Sequence, residues 1–260
     1  LALVTGASDG IGLASAEALA RAGFDLVINA RRKSALAQLA TRLRAETGVD
    51  VHEVPADLST EAGLDHLRAE IAGRDVGVAV LAAGFGSAAP LAEADPAVER
   101  GMLAVNCGAV LALCRDLGAR MLARGAGQLV LFGSIVGFQG NGSGAHYAAT
   151  KAWAQTLAEG LAMELAPGGV HVLAVAPGPV RSGFATRAGM QMGATDRPEA
   201  VAAGILRALG TSGTIRPGRM SKLLGWSLAL TPRPLRVRLM TRIMGGMAAK
   251  RPSRETVHAA

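Results

Sequence analysis

Aromatic residues make up only 3% of this 260-residue chain, with a single tyrosine among them. So few stacking rings weigh against a nucleic-acid surface, whatever the charge, and no nucleic-acid partner is expected. Cysteine is scarcer still. Cys107 and Cys114 are the only two, and both fall in a stretch that reads as helix, so there is neither a disulfide framework nor a Cys-rich zinc pattern. They read as buried small hydrophobes, which suits a reducing, cytoplasmic setting. His52, His66, His171 and His258 show no ligand spacing with cysteines or carboxylates, and no metal is expected. Continuous apolar runs long enough to span a bilayer are also missing. Leu1 lies inside a stretch that already reads as strand, so the N-terminus reads as trimmed, leaving a removed targeting segment open.

Small and apolar residues are abundant: 34 glycines, and a hydrophobic share of 50%. That suffices for one sizeable core and a single domain over 1–260. The net charge of +7 is lopsided. Residues 211–260 hold ten Lys/Arg against Glu255 alone, while the remainder carries 17 against 19 acids. The chain therefore divides into a core, 1–210, and a basic C-terminal extension, 211–260. That extension mixes arginines with Leu223, Leu224, Trp226, Leu228 and Leu230, then Leu235, Leu239 and Ile243. Because Arg236 interrupts the apolar face, it reads as a helical lid or subunit interface with arginines in water. An amphipathic segment on an anionic membrane is the less favoured reading.

Short apolar runs alternate with stretches of helical period, the pattern of βαβ units around a parallel sheet. Strands are expected at Leu1–Val4, Phe24–Ala30, Val51–Pro55, Val78–Ala82, Gln128–Phe132 and Val170–Ala176, with a last short one at 214–217. Helices are expected at Ile11–Ala22, Ser34–Thr47 with Ser34 as cap, Thr60–Ala72 with Thr60 as cap, Pro96–Ala123, His146–Leu165 and Pro198–Leu209. Pro177–Asp196, rich in Gly and Pro, reads as a mobile loop.

Three local patterns carry chemistry. Thr5-Gly6-Ala7-Ser8-Asp9-Gly10-Ile11-Gly12 follows a strand and opens a helix. Glycines there let the backbone turn tightly beside a pyrophosphate whose charge the helix N–H groups stabilise. The second strand ends Asn29-Ala30-Arg31-Arg32-Lys33, with no carboxylate to hold a ribose 2′-hydroxyl. A guanidinium there suits a 2′-phosphate, so NADP(H) is expected, with Arg31 as the contact and Arg32 or Lys33 assisting. Tyr147 and Lys151 stand four apart and so share a helix face; an ammonium beside a phenol favours the phenolate and yields an acid/base. Ser134, at a strand end, can hydrogen-bond the same substrate oxygen. His146 reads as a pocket-edge residue, because helix neighbours point about 100° apart.

Thr5–Gly12, Asp57-Leu58, Ala83-Gly84, Asn106, Ser134, Tyr147-x-x-x-Lys151 and Pro177-Gly178 occur in the order of the short-chain dehydrogenase/reductase family, which the chain resembles over residues 1 to about 182. The resemblance implies a Rossmann-type, doubly wound parallel sheet of seven strands with helices on both faces. It implies Tyr147 as proton donor or acceptor, with Ser134 stabilising the substrate oxygen. Lys151 would lower the Tyr147 pKa and hold the nicotinamide ribose, and Asn106 would bind a water in the proton relay. Gly6, Ser8, Asp9, Gly10, Ile11 and Gly12 would receive the pyrophosphate. Asp57 and Leu58 would contact adenine, Ala83-Gly84 would pass beside its ribose, and Pro177, Gly178, Val180 and Ser182 would run along the nicotinamide. Where the family has Asn-Asn-Ala-Gly this chain has Leu81-Ala82-Ala83-Gly84, losing two asparagines that tie strands beside the cofactor. Homodimers or homotetramers are implied by resemblance alone.

Gly137–Ala145 and Phe184–Thr195 are expected to flank the substrate, with Phe138, Phe184, Met190 and Met192 forming an apolar pocket for a ketone, aldehyde or secondary alcohol. The competing function, a non-catalytic dinucleotide sensor or docking scaffold, is opposed by the intact Ser134, Tyr147 and Lys151.

Overall fold

Each strand alternates its side chains between two helical layers, and that alternation builds the architecture. In the computed structural model, which describes residues 1–191, 195–218, 221, 222, 225 and 230–247, seven strands form one parallel sheet in the order β3-β2-β1-β4-β5-β6-β7. They are β1 (Ala2–Thr5), β2 (Leu26–Ala30), β3 (Val51–Pro55), β4 (Val78–Leu81), β5 (Gly127–Phe132), β6 (Val170–Val175) and β7 (Gly213–Ile215). Ala2 and Val4 face a core shared with α1 (Gly10–Arg21), α2 (Lys33–Thr47) and α8 (Pro198–Arg207). Leu3, between them, faces the opposite core with α3 (Glu61–Ala72), α5 (Val110–Arg124) and α6 (Ala145–Leu165). Leu3, Leu26, Ile28, Leu36, Leu67, Leu113 and Leu129 are fully buried, each worth about 1.5–3 kcal/mol of burial.

The strand order creates the site. The chain runs outward from β1 through β2 to β3, then returns to place β4 on the other side of β1. The connections after β1 and β4 therefore diverge and leave a crevice at the carboxyl ends of those strands.

Expected elements lie within a few residues of the observed ones. Thr60 caps α3 by accepting from the Gly63 amide at 3.1 Å. Ser34 does not cap α2: it falls inside the helix, with Arg32 at the cap position making no side-chain cap bond. The expected Pro96–Ala123 helix is α4 (Pro96–Leu103), a π-helical stretch (Ala104–Ala109) and α5 in succession. Among the described residues, Pro96–Arg124 is the one helix long and apolar enough to cross a membrane by length and composition. It is a core helix: Leu113, Cys114, Leu117 and Met121 pack on the sheet. The loop after β6 contains a short helix, α7 (Phe184–Arg187), and the extension contains α9 (Arg233–Met247).

Candidate active site

A cleft of about 650 Å³ opens at the switch point between β1 and β4. Its first wall is the glycine turn. Gly6 has φ +70° and Gly10 φ +56°, a region that glycine enters without strain. A Cβ on Gly6 would also lie 2.9 Å from the Ala83 backbone. α1 starts here with no acidic residue in its first turn and no side-chain cap from Asp9. Its first N–H groups have no side-chain acceptor from Asp9, and an anion suits that position.

At the tip of β2, Arg31 and Arg32 both line the cleft, whereas Lys33 starts α2 and does not. Arg32 Nη2 donates to the Ser8 carbonyl at 2.9 Å, and Arg31 makes a loose 3.9 Å pair with Asp57 while two-thirds exposed. Asp57 is fixed by accepting from Ser59 N and Oγ at 2.9 and 2.7 Å. Glycine turn, unopposed helix terminus and two guanidinium groups suit a phosphorylated dinucleotide. The missing asparagines have partial substitutes. Thr5 Oγ1 accepts from Ala83 N at 3.0 Å, tying β1 to the loop after β4, and Asn29 Nδ2 donates to Val54 and Ala56 carbonyls, tying β2 to β3.

The opposite wall carries Ser134, Tyr147 and Lys151, all on the same cleft as Gly6 and Ala83. Ser134 follows β5 and caps a 3₁₀ turn (Ile135–Phe138), its Oγ accepting from Val136 N at 3.3 Å. Tyr147 and Lys151 lie one turn apart near the start of α6. The Tyr147 ring packs 5.6 Å from that of Phe184, and Lys151 Nζ stands 6.0 Å from the Tyr147 ring centre while donating to the Phe132 carbonyl at 3.0 Å. Burial pushes the phenol up to about 12, partly countered by its hydrogen bond with Ser134. Burial also brings the Lys151 ammonium down to about 8. Desolvation of the phenol therefore dominates its pKa, and the counter-effect comes from Ser134 rather than from the expected lysine.

All the residues expected to bind cofactor or substrate oxygen line the cleft except Asn106 and the assisting Lys33. Asn106 is buried in the π-helical stretch, and its amide grips the Phe85 backbone in both directions. Nδ2 donates to Phe85 O at 2.9 Å and to Thr150 Oγ1 at 3.0 Å, while Oδ1 accepts from Phe85 N at 3.1 Å. Its side chain shapes the loop beside Lys151 and does not line the cleft. His146 also turns away, its Nδ1 2.6 Å from buried Glu99. Cys107 and Cys114 are buried and free, and burial pushes both thiols up, Cys114 to about 12.

Of the expected substrate residues, Phe184 and Met190 line the cleft and Met192 lies outside the described residues. Phe138 does not line it: the Arg216 guanidinium stacks over its ring at 4.7 Å. Its place is taken by Ile243, named above in the apolar face of the extension, and by three methionines that sequence reasoning missed. Met240, Ile243, Met244 and Met247 of α9 close the substrate end, and Met240 and Met244 are buried against Met102, Ile135, Val136, Tyr147 and Met190. Thr241 Oγ1 accepts from Gly142 N at 2.9 Å and anchors this lid. Of the stripe read at Leu235, Leu239 and Ile243, the two leucines are exposed and only Ile243 lines the cleft. The buried stripe is offset by about one residue, or 100°; the i, i+4 pair Met240–Met244 was the available signal. Leu223, Leu224, Trp226, Leu228, Arg219, Met220 and 248–260, with His258, lie outside the described residues.

A parallel sheet with a glycine-turn cleft, a phenol and an ammonium defines a dinucleotide-dependent oxidoreductase. The profile of the short chain dehydrogenase family matches residues 1–192, and the chain belongs to that family. An uncharacterized oxidoreductase of Bacillus subtilis (strain 168) is 34% identical over 180 residues, covering 69% of this chain and 74% of the relative. A short-chain dehydrogenase from Sphingobium yanoikuyae, solved in complex with NADPH, aligns at 28% identity over 98% of this chain and 99% of its own, with a TM-score of 0.81. A bulky-bulky ketone specific alcohol dehydrogenase from Comamonas testosteroni aligns at 27% identity over 98% of both chains, with a TM-score of 0.77.

Proposed function

We propose that the protein is an NADP(H)-dependent reductase of bulky apolar ketones and aldehydes, running in reverse as a secondary alcohol dehydrogenase, with Tyr147 as acid/base. The observation that carries this reading is the convergence of Ser134, Tyr147 and Lys151 on the same cleft as the glycine turn and the Arg31–Arg32 pair. Arg31, Arg32 and the Ser8 loop would hold the 2′-phosphate, α1 would hold the pyrophosphate, and Pro177, Gly178, Val180 and Ser182, which line the same cleft, would border the nicotinamide. That cofactor suits the NADPH found in the Sphingobium relative. Bound nicotinamide supplies or takes the hydride at the carbonyl carbon.

The chain's own work is to handle the oxygen. Ser134 Oγ donates to the substrate carbonyl, and the protonated Tyr147 gives its proton to the same atom. Phenol pKa near 12 keeps that proton in place at neutral pH. Lys151, positive below about 8, then stabilises the phenolate left behind and holds the ribose hydroxyls. Phe184, Met190 and the methionines of α9 exclude water and accept an apolar body. Self-association uses the exposed apolar faces of α5 and α6, where Leu111 and Met163 project.

The test is NADPH oxidation, followed by near-ultraviolet absorbance, against ketones of increasing apolar bulk. Turnover of bulky ketones supports the reading; absence of oxidation across the panel, with NADPH demonstrably bound, overturns it.

A further inference from the structure

Asp9 stands at the N-cap of α1, where an aspartate ordinarily accepts from its own helix's first turn. It makes no such bond. The carboxylate is turned instead toward the segment after β6: Oδ2 accepts from Gly183 N at 3.1 Å and pairs with Arg187 Nη1 at 2.9 Å. The glycine turn is thereby joined to α7, and both Asp9 and Arg187 border the cleft. Space at the junction is closely fitted. A Cβ on Gly183 would lie 2.6 Å from Asp9 Oδ2 and 2.7 Å from Arg187 Nη1, and a Cβ on Gly10 would lie 2.9 Å from Ser182 Cβ.

The charges suit the place. A bare carboxylate at the start of α1 would oppose a phosphate anion drawn to the same helix terminus. Arg187 neutralises it. Both side chains remain partly exposed, at 47% and 30%, so the pair is weak enough to open and close repeatedly.

We infer that Asp9 and Arg187 form a clasp between the phosphate-binding turn and α7, which parts to admit or release the dinucleotide and retains it when closed. The inference rests on the dinucleotide reading above. Arg187 is a positioning residue in this scheme, holding α7 down through Asp9.

NADPH release, followed by stopped-flow fluorescence, tests it in wild-type protein, Asp9→Asn, Arg187→Gln and the double variant. Release is expected about 2- to 5-fold faster in either single variant, and no faster in the double than in the singles, since the two residues act as a unit. Added salt should speed wild-type release and leave the double variant's rate unmoved by comparison. Gly183→Ala keeps both charges but forces them apart, and faster release there supports the clasp without altering an ionisable group. Wild-type release rates in all three substitutions would overturn it. So would additive effects, or faster release in Arg187→Gln with Asp9→Asn unchanged, which would make Arg187 a direct phosphate ligand. NADPH that fails to bind wild-type protein would overturn the cofactor reading itself, and the clasp with it.

Discussion

The two ends of the cleft are built by opposite means. The dinucleotide end is backbone and glycine on the tips of β1, β2 and β4, with Gly6 packed against Ala83 and no room for a Cβ. At the substrate end the walls are long side chains: Phe184, Met190, and Met240, Met244 and Met247 from α9. Close-packed backbone fixes one geometry, whereas unbranched thioethers adapt to an irregular ligand. The difference separates a fixed cofactor from a substrate wall that sequence changes can retune. Tyr147, Ser134 and Lys151 lie where the two ends meet.

The largest expected effect is at that junction. Tyr147→Phe should cut turnover by about 10²–10⁴-fold, the usual share of general acid/base catalysis, while NADPH still binds. Near-wild-type turnover in that variant would remove the phenol from the chemistry and erase the junction. Next comes the dinucleotide end by itself. Arg31→Asp removes a charge-assisted contact worth about 1.5–3 kcal/mol and adds repulsion, so the NADPH-over-NADH preference in binding titrations should fall at least about 10-fold. An unchanged preference would place the 2′-phosphate elsewhere.

A smaller and opposite signature belongs to the substrate end. Met244→Ala opens the lid beside Met190, and the KM for a bulky ketone should rise roughly 10-fold, in keeping with about 1–3 kcal/mol for a lost apolar contact. NADPH affinity should hold. A parallel loss of NADPH binding would show that the two ends are not separable.

The same division explains what could be read from the sequence. The sheet, the glycine turn and the Tyr147–Lys151 pair were legible because each is local: an alternating strand, a strand-to-helix turn, a four-residue spacing. Ser34 shows the limit, since a good capping residue lost the position to Arg32, two residues earlier, where α2 begins. Phe138 was misplaced because its partner, Arg216, is 78 positions away and stacks on it outside the cleft. The α9 lid was legible only in part. Its arginines marked a solvent face, but the choice between the Leu235 and Met240 stripes depends on where the helix lands on the 137–145 loop. Asn106 and Asp9 each spend their side chains on a distant backbone, Phe85 and Gly183, which no spacing foretells.

The smallest effect expected is in pH dependence, and it belongs to the residues between the two ends. With the phenol near 12 and the ammonium near 8, reduction should be level below about pH 8 and decline above it as Lys151 loses its charge. Alcohol oxidation, which needs the phenolate, should instead climb with pH. Stability follows from the same pair. The Lys151 pKa is lower folded than its ordinary 10.5, so the unfolded chain binds more protons between about 8 and 10.5 and stability rises with pH there. The Tyr147 pKa is higher folded than 10.0, so stability falls between about 10 and 12. Lys151→Met should therefore flatten the alkaline rise seen in denaturant titrations while leaving the later fall. If the rise persists in that variant, the buried ammonium is not its source, and the decline in reduction above pH 8 must be assigned to another group.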